Sequence, residues 1–165
     1  MITLAAVNSL TPEAFAAAFG DVAEHSPWVA RHAAGARPFA SRDAMVAAFA
    51  GALAGATPES QLALIRAHPD LAGKTRLSTD SGKEQVSAGL GSLSAAELAR
   101  FNHLNSLYRA KFDFPFIFAV KGATKGMILN AFAERVNNSA EKEFAFALSE
   151  ITRILRLRIE DRVAP

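Results

Sequence analysis

Apolar residues recur three and four positions apart along most of the chain, in segments bounded by proline, glycine and small polar residues. Thr11-Pro12-Glu13 and Ser26-Pro27-Trp28 each offer an N-cap followed by proline at the first helical position, and Gly20 and Gly35 close the two segments. Ser41 starts a segment with Met45, Val46, Phe49 and Leu53 at helical spacing. Thr57-Pro58-Glu59 opens a helix that should end at or just before His68, because a residue preceding proline avoids the α region. Ser94-Ala95-Ala96-Glu97 is a capping box, and Leu98, Phe101, Leu104, Leu107, Tyr108 and Phe112 follow it as one buried face. Thr124 and Ser139 open the last two helices, the second reaching about Arg158. No run of alternating apolar and polar residues marks a set of strands. The pattern predicts an all-α fold, a single-domain bundle over residues 1–165 with about eight or nine helices and no substantial sheet.

Two stretches break the helical rhythm. From His68 to about Asp80 the chain is rich in turn formers and reads as a loop. From Phe112 to Val120 it is densely apolar around Pro115, which forbids a helix interior, so a short buried strand or extended segment is expected. Such a segment in a helical protein must find partners for its backbone groups, and spare N–H groups could meet a ligand.

Composition narrows the function classes. Half of the 165 residues are apolar, so the chain has core material and is not disordered for want of it. With no cysteine, a disulfide scaffold, thiolate metal sites and a cysteine nucleophile are excluded. Eighteen basic residues against 16 acidic ones, with no basic run interleaved with aromatics, give no basis for nucleic-acid binding. The apolar stretches are shorter than the roughly 20 residues of a membrane helix, and the N-terminus lacks the positive charge of a secretory signal. A cytoplasmic protein is expected.

Among the four histidines, His25, His32, His68 and His103, no two stand at i, i+4, and no metal site is expected. His103 reads as a surface residue. His68 falls where a helix ends and Pro69 pins the chain, which suits either a helix-capping histidine or a functional one. Ser81-Gly82-Lys83-Glu84 is a second capping-box pattern; Ser81 could simply cap a helix, or the N-terminus could hold an anion. On the last helix Ile151, Ile154, Leu155 and Arg158 share one stripe, so Arg158 either snorkels outward or meets a carboxylate in a pocket. Taken together, a histidine, a carboxylate, a helix N-terminus and an arginine suit proton transfers on a small anionic substrate without a cofactor.

The wording of the motifs carries more. His68-Pro69-Asp70-Leu71-Ala72-Gly73-Lys74, Ser81-x-x-Glu84-Gln85 with Ala88-Gly89-Leu90, Phe101-x-x-Leu104-Asn105-x-x-Tyr108-x-x-Lys111-Phe112 and Phe114-Pro115-Phe116-Ile117 occur in this order. Glu24-His25-Ser26-Pro27-Trp28 and Glu150-Ile151-x-Arg153-Ile154-x-x-Leu157-Arg158 flank them. The chain resembles the 2-oxo-4-hydroxy-4-carboxy-5-ureidoimidazoline (OHCU) decarboxylases over essentially its whole length. The resemblance implies an all-helical, cofactor-free homodimer that decarboxylates OHCU to S-allantoin and CO2. That reaction follows urate oxidation and 5-hydroxyisourate hydrolysis, so functional coupling to urate oxidase and 5-hydroxyisourate hydrolase is implied too. It places the catalytic histidine at His68 and its carboxylate partner at Glu84. Substrate contacts fall on Pro69, on Ser81, Gly82, Lys83, Glu84 and Gln85, on Phe116, Ile117, Phe118, Ala119 and Val120, and on Arg158. Two other readings are a non-catalytic helical purine-binding or interaction module of the same family, and a metal-dependent amidohydrolase-like enzyme, for which the ligand set is missing. Glu24 and His25 stay without a role beyond packing or dimer contacts.

Overall fold

The structure is a computed structural model and describes residues 1–73 and 77–165. Among these residues all regular structure is helical, and the chain comprises two compact units, Met1–Ala67 with Ile151–Pro165, and His68–Glu150. No helix among them is long and apolar enough to cross a membrane.

The first unit contains α1 (Leu4–Ser9), α2 (Pro12–Phe19), α3 (Trp28–Ala34), α4 (Arg42–Ala54) and α5 (Pro58–Ala67). Thr11 and Ser41 cap α2 and α4 as their spacing predicts, each hydroxyl accepting the N–H three residues on. Ser26 does not cap α3. Pro27 takes the N-cap position with no side-chain bond, so the helix opens one residue later than the motif suggested. Phe15 centres the core, with its ring 4.9 Å from Phe19 and 6.2 Å from Phe49. Helix α1, which short apolar periodicity did not reveal, is capped by Thr3, and Ile2 pairs with Val163.

The second unit contains α6 (Thr79–Ser87), α7 (Ala95–Phe112) and α8 (Lys125–Arg135). Helix α9 (Ala140–Arg162) runs through the boundary at Glu150 and ends four residues beyond the expected stop. The capping box of α7 forms with both of its bonds, Glu97 N–H to Ser94 and Ser94 N–H to Glu97. On α7 the buried stripe is Phe101, Leu104, Tyr108 and Phe112, whereas Leu98 and Leu107 are exposed. Leu107 stands six residues, about 240°, around the helix from Phe101 and so cannot share its face. The core gathers Tyr108, Phe101, Phe116 and Phe132, the last two stacked with centroids 3.9 Å apart.

The segment after α7 is neither helix nor strand. Asp113 ends the helix in the left-handed conformation (φ 59°), and residues 115–120 run without regular structure while Phe116, Ile117, Ala119 and Val120 are buried. Of the two forms expected, a strand or an extended segment, the strand does not form, since no described strand lies beside it to complete a ladder.

Candidate active site

Helix α5 ends at Ala67, and His68 follows it, 7% exposed, in front of Pro69. The residues after His68 are held by side chains of α6 and α7. Asn105 donates its amide to the Leu71 carbonyl (2.9 Å), and the Ala72 N–H donates to Gln85 Oε1 (3.0 Å). Arg109 Nε reaches both oxygens of Asp70, at 2.9 and 3.2 Å. Ala72 sits at φ 55°, a conformation that costs a residue with a Cβ about 1–2 kcal/mol and persists because its neighbours over-determine it. Lys74, the last residue of the histidine motif, lies outside the described residues.

Helix α6 begins earlier than the Ser81 pattern suggested. Its N-cap is Ser78, whose hydroxyl accepts from Ser81 N–H (3.2 Å) and whose carbonyl accepts from Gly82 N–H (2.9 Å). Ser81 is therefore inside the first turn and does not cap the helix; Glu84 lies in mid-helix and does not close a capping box. The N–H groups of Ser81 and Gly82 are consumed by the helix, and the expected anion site at a Ser81 N-terminus is not built. Instead, Ser81 and Gln85, one turn apart, are buried on one face at 5% and 6% exposure, with Glu84 half-buried beside them and Lys83 exposed.

The irregular segment Phe116–Val120 is positioned by two ionic side chains. Arg135 Nη1 donates to the Ile117 carbonyl (2.7 Å), and the Ala119 N–H donates to Glu150 Oε2 (2.7 Å). Arg135 is itself fixed by Glu143, which is fully buried, through Nε and Nη2, and its guanidinium lies 4.5 Å from the centre of the Phe116 ring. Tyr108 and Asn138 donate to the same Glu143 carboxylate. Burial, and then the bond to Glu143, push the Tyr108 phenol pKa far above its ordinary value.

Arg158 belongs to the first unit, where it is 3% exposed. Its Nη1 donates to Glu24 Oε2 at 3.1 Å and to the Val22 carbonyl at 3.2 Å. The carboxylate partner that its place on the apolar stripe suggested is thus Glu24, which is 2% exposed. His25, at φ 45°, is exposed and 3.8 Å from the other Glu24 oxygen. His32 and His103 are exposed, and no cluster of three His, Asp or Glu among the described residues could hold a metal ion.

Sequence reasoning missed Arg135, Glu143 and the structural tasks of Asn105, Gln85, Glu24 and Glu150. A signal for Arg135 was present: it follows Ile128 and Phe132 at i+7 and i+3, the same cation-on-a-stripe anomaly that singled out Arg158.

The family model for OHCU decarboxylase matches residues 8–160. A 2-oxo-4-hydroxy-4-carboxy-5-ureidoimidazoline decarboxylase of Haloferax volcanii is 44% identical over 161 residues, covering 98% of this chain and 96% of its own. The Uric acid degradation bifunctional protein of Bacillus subtilis is 41% identical, with the match covering 98% of this chain and 33% of that protein. Among solved structures, (S)-allantoin synthase superposes with a TM-score of 0.81 at 31% identity, over 98% of this chain and 54% of that one. An OHCU decarboxylase crystallised in the presence of (S)-allantoin gives 0.72 at 25% identity, over 86% and 94%. Fold, motif order and near-complete coverage agree, and the chain belongs to the OHCU decarboxylase family.

Proposed function

We propose that this protein decarboxylates OHCU to S-allantoin and CO2, with His68 and Glu84 as the catalytic pair and no cofactor. The observation that carries this reading is the buried histidine on a loop clamped by Asn105 and by Gln85, the neighbour of Glu84 on α6.

OHCU bears a carboxylate and a hydroxyl on one ring carbon. When the bond to the carboxylate breaks, CO2 leaves and the electron pair passes into the adjoining conjugated C=N unit, so no external electron sink is required. The nitrogen of that C=N unit takes a proton; the hydroxyl-bearing carbon then becomes a carbonyl as its O–H proton departs, and the neighbouring carbon takes a second proton on one face, which fixes the product's hand. Per carboxylate consumed, one proton is taken up. In this reading His68, oriented by Glu84, polarises the hydroxyl and carboxylate and manages the proton. Gln85 commits Oε1 to Ala72, which leaves its Nε2 to donate to a ring oxygen. Pro69, Ser81, Gly82 and Lys83 frame the ligand on the α6 side and Phe116–Val120 supplies backbone groups; the resemblance to the family adds Arg158 as the partner of an anionic group of the substrate. The protein works as a cytoplasmic homodimer, coupled in function to urate oxidase and 5-hydroxyisourate hydrolase. The matching third of a bifunctional uric acid degradation protein supports that coupling.

Generating OHCU in situ from urate with the two preceding enzymes, and following circular dichroism, tests the proposal. Rapid appearance of S-allantoin ellipticity is expected with the wild type, and His68→Asn should slow it by about 10²–10⁴-fold while remaining folded. Racemic product at the spontaneous rate from folded wild-type protein would replace this reading with a non-catalytic binding module. Wild-type turnover by His68→Asn would remove His68 from its role.

A further inference from the structure

We infer that Arg135 and Glu150 are positioning residues that act as a surrogate strand, turning the backbone of Phe118 toward the ligand. The inference rests on the reading that Phe116–Val120 contacts substrate.

The geometry follows from the planarity of the peptide unit. Both peptide bonds flanking Phe118 are trans, so each carbonyl points opposite to the N–H across the bond. Arg135 Nη1 holds the Ile117 carbonyl at 2.7 Å, which directs the Phe118 N–H away from Arg135. Glu150 Oε2 holds the Ala119 N–H at 2.7 Å, which directs the Phe118 carbonyl away from Glu150. In a β ladder the carbonyl of one residue and the N–H of the residue two further on face the same neighbour, and the residue between offers both its groups to the other side. Here the segment is irregular, and Arg135 and Glu150 each take one of the two backbone groups that such a neighbour would take. Neither polar backbone group of Phe118 has a hydrogen-bond partner among the described residues. One donor and one acceptor from a single residue match the edge of a cyclic amide or ureide, which carries N–H and C=O side by side.

The two positioning groups differ in how firmly they are set. Arg135 is locked by Glu143 and by the Phe116 ring beneath it, and Phe116 stacks on Phe132. Glu150 is half-buried on α9 and can be changed without uncovering a buried charge. It is therefore the better site for a test.

Glu150→Leu removes the acceptor for Ala119 N–H, and Glu150→Gln retains one. With OHCU as substrate, Glu150→Leu should raise KM about tenfold and change kcat far less, and Glu150→Gln should restore KM to within about threefold of wild type. The dissociation constant for (S)-allantoin, measured by calorimetry on the same folded proteins, should rise in parallel for Glu150→Leu. Arg135→Lys, which keeps the charge that Glu143 needs but loses the fork, should weaken allantoin binding in the same direction. Wild-type KM and allantoin affinity in folded Glu150→Leu, or a Glu150→Gln variant as impaired as the leucine one, would overturn the inference. An inactive wild type that still bound allantoin would overturn the proposed reaction alone. Its binding would then decide the positioning role by the same two variants.

Discussion

Arg158 and Glu24 meet at 3.1 Å in the first unit, each with less than 4% of its surface exposed. A buried guanidinium is tolerated there because its charge is matched and its N–H groups find a carboxylate and the Val22 carbonyl. This pair turns an anomaly of the helical pattern into a structural fact, and it couples a residue proposed for substrate binding to one that had no role.

Removing one partner of that pair should cost more than removing both. Arg158→Met removes the cation matched to the buried Glu24 carboxylate and should lower stability by about 3–5 kcal/mol, whereas Glu24→Leu/Arg158→Met should recover most of the loss. Denaturation followed by the fluorescence of Trp28, the single tryptophan, measures the cycle. Additive single effects would show that the two side chains do not interact.

Tyr108 is the chain's single tyrosine, so phenolate absorbance reports it alone. Its native pKa is raised by burial and by the bond to Glu143, and the unfolded chain titrates near 10. A raised pKa means that the unfolded state loses its proton first, so the stability contribution is fully present below pH ~10 and is lost as pH rises further. No phenolate should appear at pH 10–11 while the protein is folded, and its appearance should coincide with unfolding. Smooth titration of the folded protein near pH 10 would contradict the buried network. Tyr108→Phe should flatten the alkaline stability slope.

Asn105 separates positioning from stability. Its amide donor holds the Leu71 carbonyl, three residues beyond His68, while its Oδ1 is buried without a partner among the described residues. Asn105→Leu loses one hydrogen bond but also relieves an unsatisfied acceptor, so stability should change by less than about 2 kcal/mol. If the clamp orients His68, kcat/KM should fall at least tenfold, since small misplacements of a reacting group are costly. Undiminished kcat/KM in the folded variant would show that the loop keeps its shape without the bond.

At Ala72, glycine should be accepted and branching refused. Ala72→Gly removes the Cβ conflict at φ 55° and should leave stability within about 1 kcal/mol of wild type or above it. Ala72→Val should lower it by about 1–3 kcal/mol. Urea midpoints for the two variants decide this, and equal midpoints would refute the left-handed conformation.

The all-α class, most helix starts and the family were legible in the sequence, because they depend on local periodicity, caps and motif order. Thr11, Ser41, Ser94 and Thr124 cap the helices their spacing announced, since an N-cap bond spans only three residues. Where two local solutions compete, spacing alone does not choose. Ser78 displaces Ser81 as the cap of α6, and Pro27 rather than Ser26 begins α3. What only the tertiary structure decided is the long-range pairing of charges with backbone and with each other. Arg135 finds the Ile117 carbonyl 18 residues away, Glu150 the Ala119 N–H 31 away, and Arg158 finds Glu24 134 away. A cation on an apolar stripe marks one member of such a pair, but the periodicity carries no trace of its partner. A buried ion or an irregular backbone must have partners, but their identity depends on which segments packing brings within about 3 Å.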